Sequence, residues 1–146
     1  MRIYLDTCSL QRPLDSKTQI RIILEAEAVL GVLTLCESGT VELVASDALL
    51  FETERNPNLD RREYALAALS RAKTFVALNE QVEKRAKELS NVGLRPLDAL
   101  HLASAEVAQA DYFCTCDDKL LRQVKGIAGL EVQVVSPIEL VEAIER

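Results

Sequence analysis

Aromatic residues make up only 4% of the 146-residue chain, and histidine occurs once, at position 101. The first scarcity leaves the core to aliphatic side chains and removes any base-stacking platform for nucleic acid. The second makes His-dependent nucleophilic catalysis unattractive. No apolar run approaches the ~20 residues that span a bilayer. The first residues lack the basic-then-apolar layout of a secretory signal, because strand-like residues come at once and Asp6 follows. The cytoplasm is therefore the expected compartment. There Cys8, Cys36, Cys114 and Cys116 read as reduced thiols. Cys114 and Cys116 have a single residue between them, which is neither zinc-type nor redox-type spacing. Gly/Ser linkers, low-complexity stretches and internal repeats are all missing, so residues 1–146 read as one domain.

What is present is an ordinary soluble balance, 49% apolar and 27% charged, in a chain long enough to bury a core. The net charge of -6 argues against a protein that grips nucleic acid over its whole surface. It leaves room for a local basic groove. An acidic pocket would add to the same balance, and a divalent cation would neutralise part of it.

Short β-rich runs alternate with longer helical ones, which predicts an α/β fold with a largely parallel sheet. The expected strands are Arg2 to Asp6, Val41 to Ala45, Thr74 to Leu78, Tyr112 to Thr115 and Val132 to Val135. A loop carrying Arg12-Pro13 follows the first strand, and then a helix from about Lys17 to Glu37, stopped by Gly39. Ser46 and Asp47 start a helix through Glu54, broken by Asn56-Pro57-Asn58. Asp60 with Glu63 reads as a capping box for the next one. Asn79 opens a charged amphipathic helix. Pro96 suits the first turn of a helix over Leu97 to Gln109 that is apolar nearly all round and so should be buried. Asp117 starts another helix, and Ser136-Pro137-Ile138-Glu139 opens the last.

Four acids recur at one kind of place. Asp6 ends the first strand, Glu52 lies two turns into the helix after the second, Asp98 lies in the first turn of the apolar helix, and Asp117 follows the fourth strand. In open parallel sheets the carboxyl ends of the strands line the ligand crevice. If the strands are neighbours, the acids converge. Crowded carboxylates raise one another's pKa values, and a hard divalent cation resolves the conflict. Carboxylate and water oxygens suit Mg²⁺ or Mn²⁺, which polarises a phosphoryl oxygen and lowers the pKa of water. That describes a phosphodiesterase needing neither His nor Ser as nucleophile. Each acid also has a structural use: loop amides for Asp6, solvated helix for Glu52 and Glu54, the helix dipole for Asp98, a cap for Asp117 with Asp118 beside it. Their order on the chain is the stronger signal.

Those residues carry a resemblance to the PIN-domain ribonucleases, which include toxins of the VapC type. Ile3-Tyr4-Leu5-Asp6-Thr7 resembles the family's opening strand with its first metal-binding Asp. Ser46-Asp47-Ala48-Leu49-Leu50-Phe51-Glu52 is similar to its second motif, a Ser ending a strand and a Glu on the next helix. Leu97-Asp98-Ala99-Leu100-His101-Leu102-Ala103 resembles the third, and Thr115-Cys116-Asp117 the fourth. The resemblance implies a three-layer α/β/α sandwich with a mainly parallel sheet of about five strands. It implies a Mg²⁺- or Mn²⁺-dependent nuclease acting on RNA, often as a homodimer, with an antitoxin partner where the protein is a toxin. Asp6, Glu52, Asp98 and Asp117 would then be the catalytic metal ligands, with Thr7, Thr115 and Asp118 in support. Where many relatives continue Thr-Asn, this chain has Cys8. Glu54 is the rival to Glu52, but two residues along a helix it points about 200° away.

For RNA, Arg12, Arg55, Arg95 and Lys119 are the candidate phosphate contacts, being close in sequence to the acids, with Arg61, Arg62 and Arg122 nearby. Tyr4 and Phe113 read as core. Two other classes compete. A dehalogenase-like phosphatase would want a second Asp where Cys8 stands, and a receiver domain would want an Asp ending its third strand, which is not there. A non-catalytic interaction module of the same fold is the non-enzyme alternative.

Overall fold

A computed structural model describes residues 1–146. Five strands form one sheet: β1 Arg2–Leu5, β2 Glu42–Ser46, β3 Thr74–Val76, β4 Tyr112–Cys114 and β5 Gln133–Val135. Their order is β3-β2-β1-β4-β5, and every pairing is parallel. Eight helices join and flank them: α1 Thr7–Gln11, α2 Ile20–Glu37, α3 Asp47–Glu54, α4 Leu59–Leu69, α5 Glu80–Asn91, α6 Pro96–Val107, α7 Asp118–Val124 and α8 Pro137–Glu145.

Successive residues Ile3, Tyr4 and Leu5 are all fully buried, and so are Phe113 and Cys114. Consecutive rather than alternate burial means that helices cover both faces of the sheet, as a parallel sheet requires. α5 packs along α6, α2 along α8, and α3 touches both α4 and α6. With so few aromatics, Tyr4 and Phe113 stack in the centre, ring centroids 5.2 Å apart and planes at 11°.

The chain leaves β1 toward β2 and β3, then crosses back to place β4 on the other side of β1. The strand order reverses there, so the crevice between the carboxyl ends of β1 and β4 is the expected ligand position. The join is stitched by backbone bonds: the Asp6 amide donates to the Cys114 carbonyl at 3.1 Å, and the Thr115 amide to Val135 at 3.0 Å.

Several boundaries differ from expectation for local reasons. The segment after Asp6 is not a loop. Asp6 is the N-cap of α1, its carboxylate accepting from the Ser9 amide at 3.0 Å, and a one-turn helix runs into a 3₁₀ turn at Arg12–Leu14. Asn58, not Asp60, caps α4, accepting from the Arg61 amide at 3.0 Å, so no capping box forms there. β3 stops at Val76, and the Leu78 amide turns to the Asp47 carboxylate at 2.7 Å. The Ser136–Glu139 capping box does form, with bonds of 2.9 and 3.2 Å.

Candidate functional site: an acidic rim on β1, α3, α6 and β4

Asp6 stands at the carboxyl end of the central strand and is 8% exposed. Burial pushes its carboxyl well above the ordinary carboxylate range; the neighbouring Cys8 adds to this, and hydrogen bonds from Thr115 and the Ser9 amide oppose it. Cys8, in the place of the expected Asn, donates its thiol proton to Asp6 Oδ1 at 3.1 Å. That thiol is itself raised, first by its hydrogen bond with Cys116 and then by burial, so it keeps the proton it donates.

Glu52 faces the rim from α3. Its Oε1 accepts from the Thr7 hydroxyl and from His101 Nε2, the latter at 3.0 Å. Partial burial pushes the carboxyl up, but the bonds from His101 and Thr7, helped by the charge of Arg95, win and hold it below the ordinary range. Glu54 has no such partners. It is exposed, at the edge of an apolar groove with Phe51, Leu78 and Leu97.

Asp98 and Asp117 are joined by Arg95, the N-cap residue of α6. Arg95 Nε donates to Asp98 Oδ2 at 3.1 Å and its Nη2 to Asp117 Oδ2 at 3.2 Å. Asp117 caps α7, its Oδ1 accepting from the Lys119 and Leu120 amides at 2.9 and 3.4 Å. Thr115 is fully buried, and its Oγ1 accepts from the Asp117 amide at 3.1 Å. Asp118, expected in support, is instead clamped by Arg21 at 2.6 and 2.8 Å.

The expected phosphate contacts divide into two groups. Arg12 is held by Asp15 at 2.8 Å and by the buried Glu25 at 2.9 Å, so it braces the 3₁₀ turn. Arg61 also pairs with Asp15, at 2.8 Å. Arg55 lies exposed over the Phe51 ring, 4.2 Å from its centroid, and Lys119 is exposed beside Asp117. Arg95 stands among the acids.

His101 and Tyr4 were missed by sequence reasoning as site residues. His101 is 2% exposed; its Nδ1 lies 2.7 Å from Tyr4 Oη, which lies 2.8 Å from Ser46 Oγ. The available signal was weak: a histidine one helical turn after Asp98, on a face otherwise apolar.

No three His, Cys, Asp or Glu side chains stand close enough together to hold a metal ion. Each acid has found its own donor: Asp6 the α1 cap, Glu52 the His101–Thr7 pair, Asp98 and Asp117 the guanidinium of Arg95. The donor set nonetheless fits a hard cation. It is all carboxylate oxygen. Both bonds to Glu52 fall on Oε1 and Asp98 meets Arg95 through Oδ2, so Glu52 Oε2 and Asp98 Oδ1 have no protein donor. Asp6 is desolvated with no counter-charge bonded to it, and a positive group, Arg95, already lies among three of the acids.

A family model for the PIN domain matches residues 3–127. The chain belongs to the PIN-domain family. Solved PIN-like folds resemble it over nearly their whole length. The structure of VapBC2 from Rickettsia felis bound to a DNA fragment from its promoter matches with TM-score 0.59 at 14% identity, covering 93% of this chain and 98% of that one. PAE2754 from Pyrobaculum aerophilum matches with TM-score 0.55 at 16% identity, covering 99% and 98%. VapBC-1 from nontypeable Haemophilus influenzae matches with TM-score 0.56 at 16% identity, covering 94% and 99%. At such identities the likeness speaks for the fold. No curated protein matches the sequence. No helix of this PIN domain is long and apolar enough to cross a membrane.

Proposed function

We propose that this PIN-domain protein is a divalent-metal-dependent endoribonuclease, using Mg²⁺ or Mn²⁺. The observation that carries the reading is the placement of acids from β1, α3, α6 and the β4–α7 junction around the sheet's switch point. Asp6, Glu52, Asp98 and Asp117 would hold the ion, directly or through water. When bound, the ion supplies Lewis-acid polarisation of the phosphoryl group and a lower pKa for water. The chain's own residues do the rest. Thr7 and His101 orient Glu52, Thr115 fixes the backbone of Asp117, and the buried floor around Asp6 excludes bulk water. Arg55 and Lys119 are exposed and available to RNA phosphates, and Arg95 joins them once released from Asp98 and Asp117, whereas Arg12 is held by Asp15 and Glu25.

The VapBC structures support a further step, that the protein is a toxin held in check by an antitoxin; a cytoplasmic setting and a homodimer belong to the same proposal, the dimer resting on the family resemblance alone. Mass measurement over a concentration series tests the dimer, and a constant monomer mass refutes it.

The nuclease reading is tested by Mn²⁺-dependent cleavage of a labelled RNA. Asp98→Asn should lose more than ~100-fold of the wild-type rate, beyond what supporting residues usually cost. Equal cleavage by the two proteins would remove Asp98 from the mechanism. Calorimetry showing no Mn²⁺ binding to wild type would favour a non-catalytic interaction module.

A further inference from the structure

One chain of hydrogen bonds links the elements that bear three of the four acids. It begins at the N-terminus of α3, where the Leu49 amide donates to Ser46 Oγ at 3.1 Å. It continues through Ser46 Oγ to Tyr4 Oη on β1 at 2.8 Å, and on to His101 Nδ1 on α6 at 2.7 Å. It returns to α3 through His101 Nε2 and Glu52 Oε1 at 3.0 Å. Asp6 lies two residues after Tyr4, and Asp98 three before His101. Ser46 and Tyr4 are fully buried and His101 nearly so.

Counting donors gives the chain one direction. Ser46 Oγ already accepts from the Leu49 amide, so its proton has only Tyr4 to go to. Tyr4 Oη, having accepted, gives its own proton to His101 Nδ1. Nδ1 is then bare, and the ring's proton sits on Nε2, aimed at the carboxylate. A proton on Nδ1 would donate to Tyr4 Oη and leave one of the two buried hydroxyl protons, on Ser46 or Tyr4, with no acceptor, a costly loss. The second contact of the rings is edge-on, 5.8 Å between centroids at 66°, and holds the imidazole plane in the direction the bonds require.

We infer that Tyr4 and His101 form a positioning pair for Glu52, in which Tyr4 selects the Nε2–H tautomer of His101 and His101 pins Glu52 Oε1 so that Oε2 is presented to the rim. This rests on the metal-site reading of the acids. It adds two residues that act through Glu52 without touching ion or substrate, and it makes the spacing of β1, α3 and α6 part of the site.

His101 is the only histidine, so its ring nitrogens give the only imidazole signals in a ¹⁵N spectrum. Wild type should show the Nε2–H tautomer. Tyr4→Phe keeps the stacked ring on Phe113 and removes only the hydroxyl. It should shift the spectrum toward a tautomer mixture and weaken Mn²⁺ binding about 10-fold in calorimetry, the usual cost of losing such a supporting bond. His101→Ala should weaken it by up to ~100-fold, and His101→Gln, whose amide can still donate to Glu52, should recover part of that. Folding is read in parallel from melting temperature. Wild-type Mn²⁺ affinity in folded Tyr4→Phe and His101→Ala would overturn the proposal, as would an Nδ1–H tautomer in wild type. A purely structural pair would change the melting temperature and leave affinity and the Gln rescue flat, which also overturns it. If wild type binds no Mn²⁺, the metal reading falls separately, and the tautomer of the metal-free proteins still tests the lock.

Discussion

The two sides of the acidic rim are held by different means. On the β2 side, Glu52 is fixed by hydrogen bonds from the buried His101, itself bonded to Tyr4, and from the half-buried Thr7. On the β4 side, Asp98 and Asp117 share one guanidinium whose side chain is 61% exposed. Buried hydrogen bonds are short-range, little screened by salt and costly to break. Exposed ion pairs contribute little and weaken as salt rises. The β2 side is therefore ready before any ion arrives, and the β4 side is provisional, with Arg95 in the position of a cation that can be displaced. Asp6 lies between the two, buried like the first and unpaired with any cation.

The sharpest test of that middle position is Asp6→Asn. Asparagine caps a helix about as well as aspartate, so α1 should survive. Mn²⁺ binding should be lost, and the metal-free protein should become more stable. The sign follows from burial, which raises the folded-state pKa of Asp6. The penalty of the ionised form is absent below the unfolded-state pKa, grows as pH rises between the two values, and is complete above the folded one. The melting temperature of Asp6→Asn should exceed wild type at pH 8, by roughly 2–4 °C for each kcal/mol relieved, and the two should converge near pH 4. Identical curves at both pH values would show that Asp6 carries no such strain.

A smaller effect is expected from Arg95→Gln. If Arg95 only stands in for the ion, its removal should tighten Mn²⁺ binding about 3- to 10-fold at low salt, with the gap closing at high salt. Weaker binding would instead make the β4 side as preformed as the β2 side. The smallest effect belongs to Glu54→Ala. Mn²⁺ affinity should stay within about twofold of wild type, while Glu52→Gln loses at least ~10-fold. A large loss at Glu54 would move the second acid off the His101 bond altogether.

The layout of elements was legible because local chemistry and global pattern agree. Pro96 opens α6, Asp117 caps α7, Ser136 and Glu139 close a capping box, and five short apolar runs alternate with helices. Asp6, Glu52 and Asp117 could be chosen because each lies within a turn or two of a strand's end, and Asp98 because it opens an otherwise apolar helix. The rest was hidden for two reasons. α1 is too short for any periodicity, so only the Asp6 cap could announce it. Tyr4 and His101 are 97 residues apart and apolar in setting, and nothing local marks them as partners. The same distance hides the attachment of Asp118 to Arg21, and a chain reversal between the 3₁₀ turn and α2 hides that of Arg12 to Glu25.

β1 is made well before β4 and is the central strand of the finished sheet, with β4 at its side. Until Tyr112–Cys114 has been synthesised, the Asp6 amide lacks its carbonyl, Tyr4 lacks its stacking ring and Asp117 does not exist. The rim is assembled by contacts of long sequence separation, the slowest kind to form. A nascent chain therefore carries its first acid, from Asp6 until β4 has been made, without the rim around it.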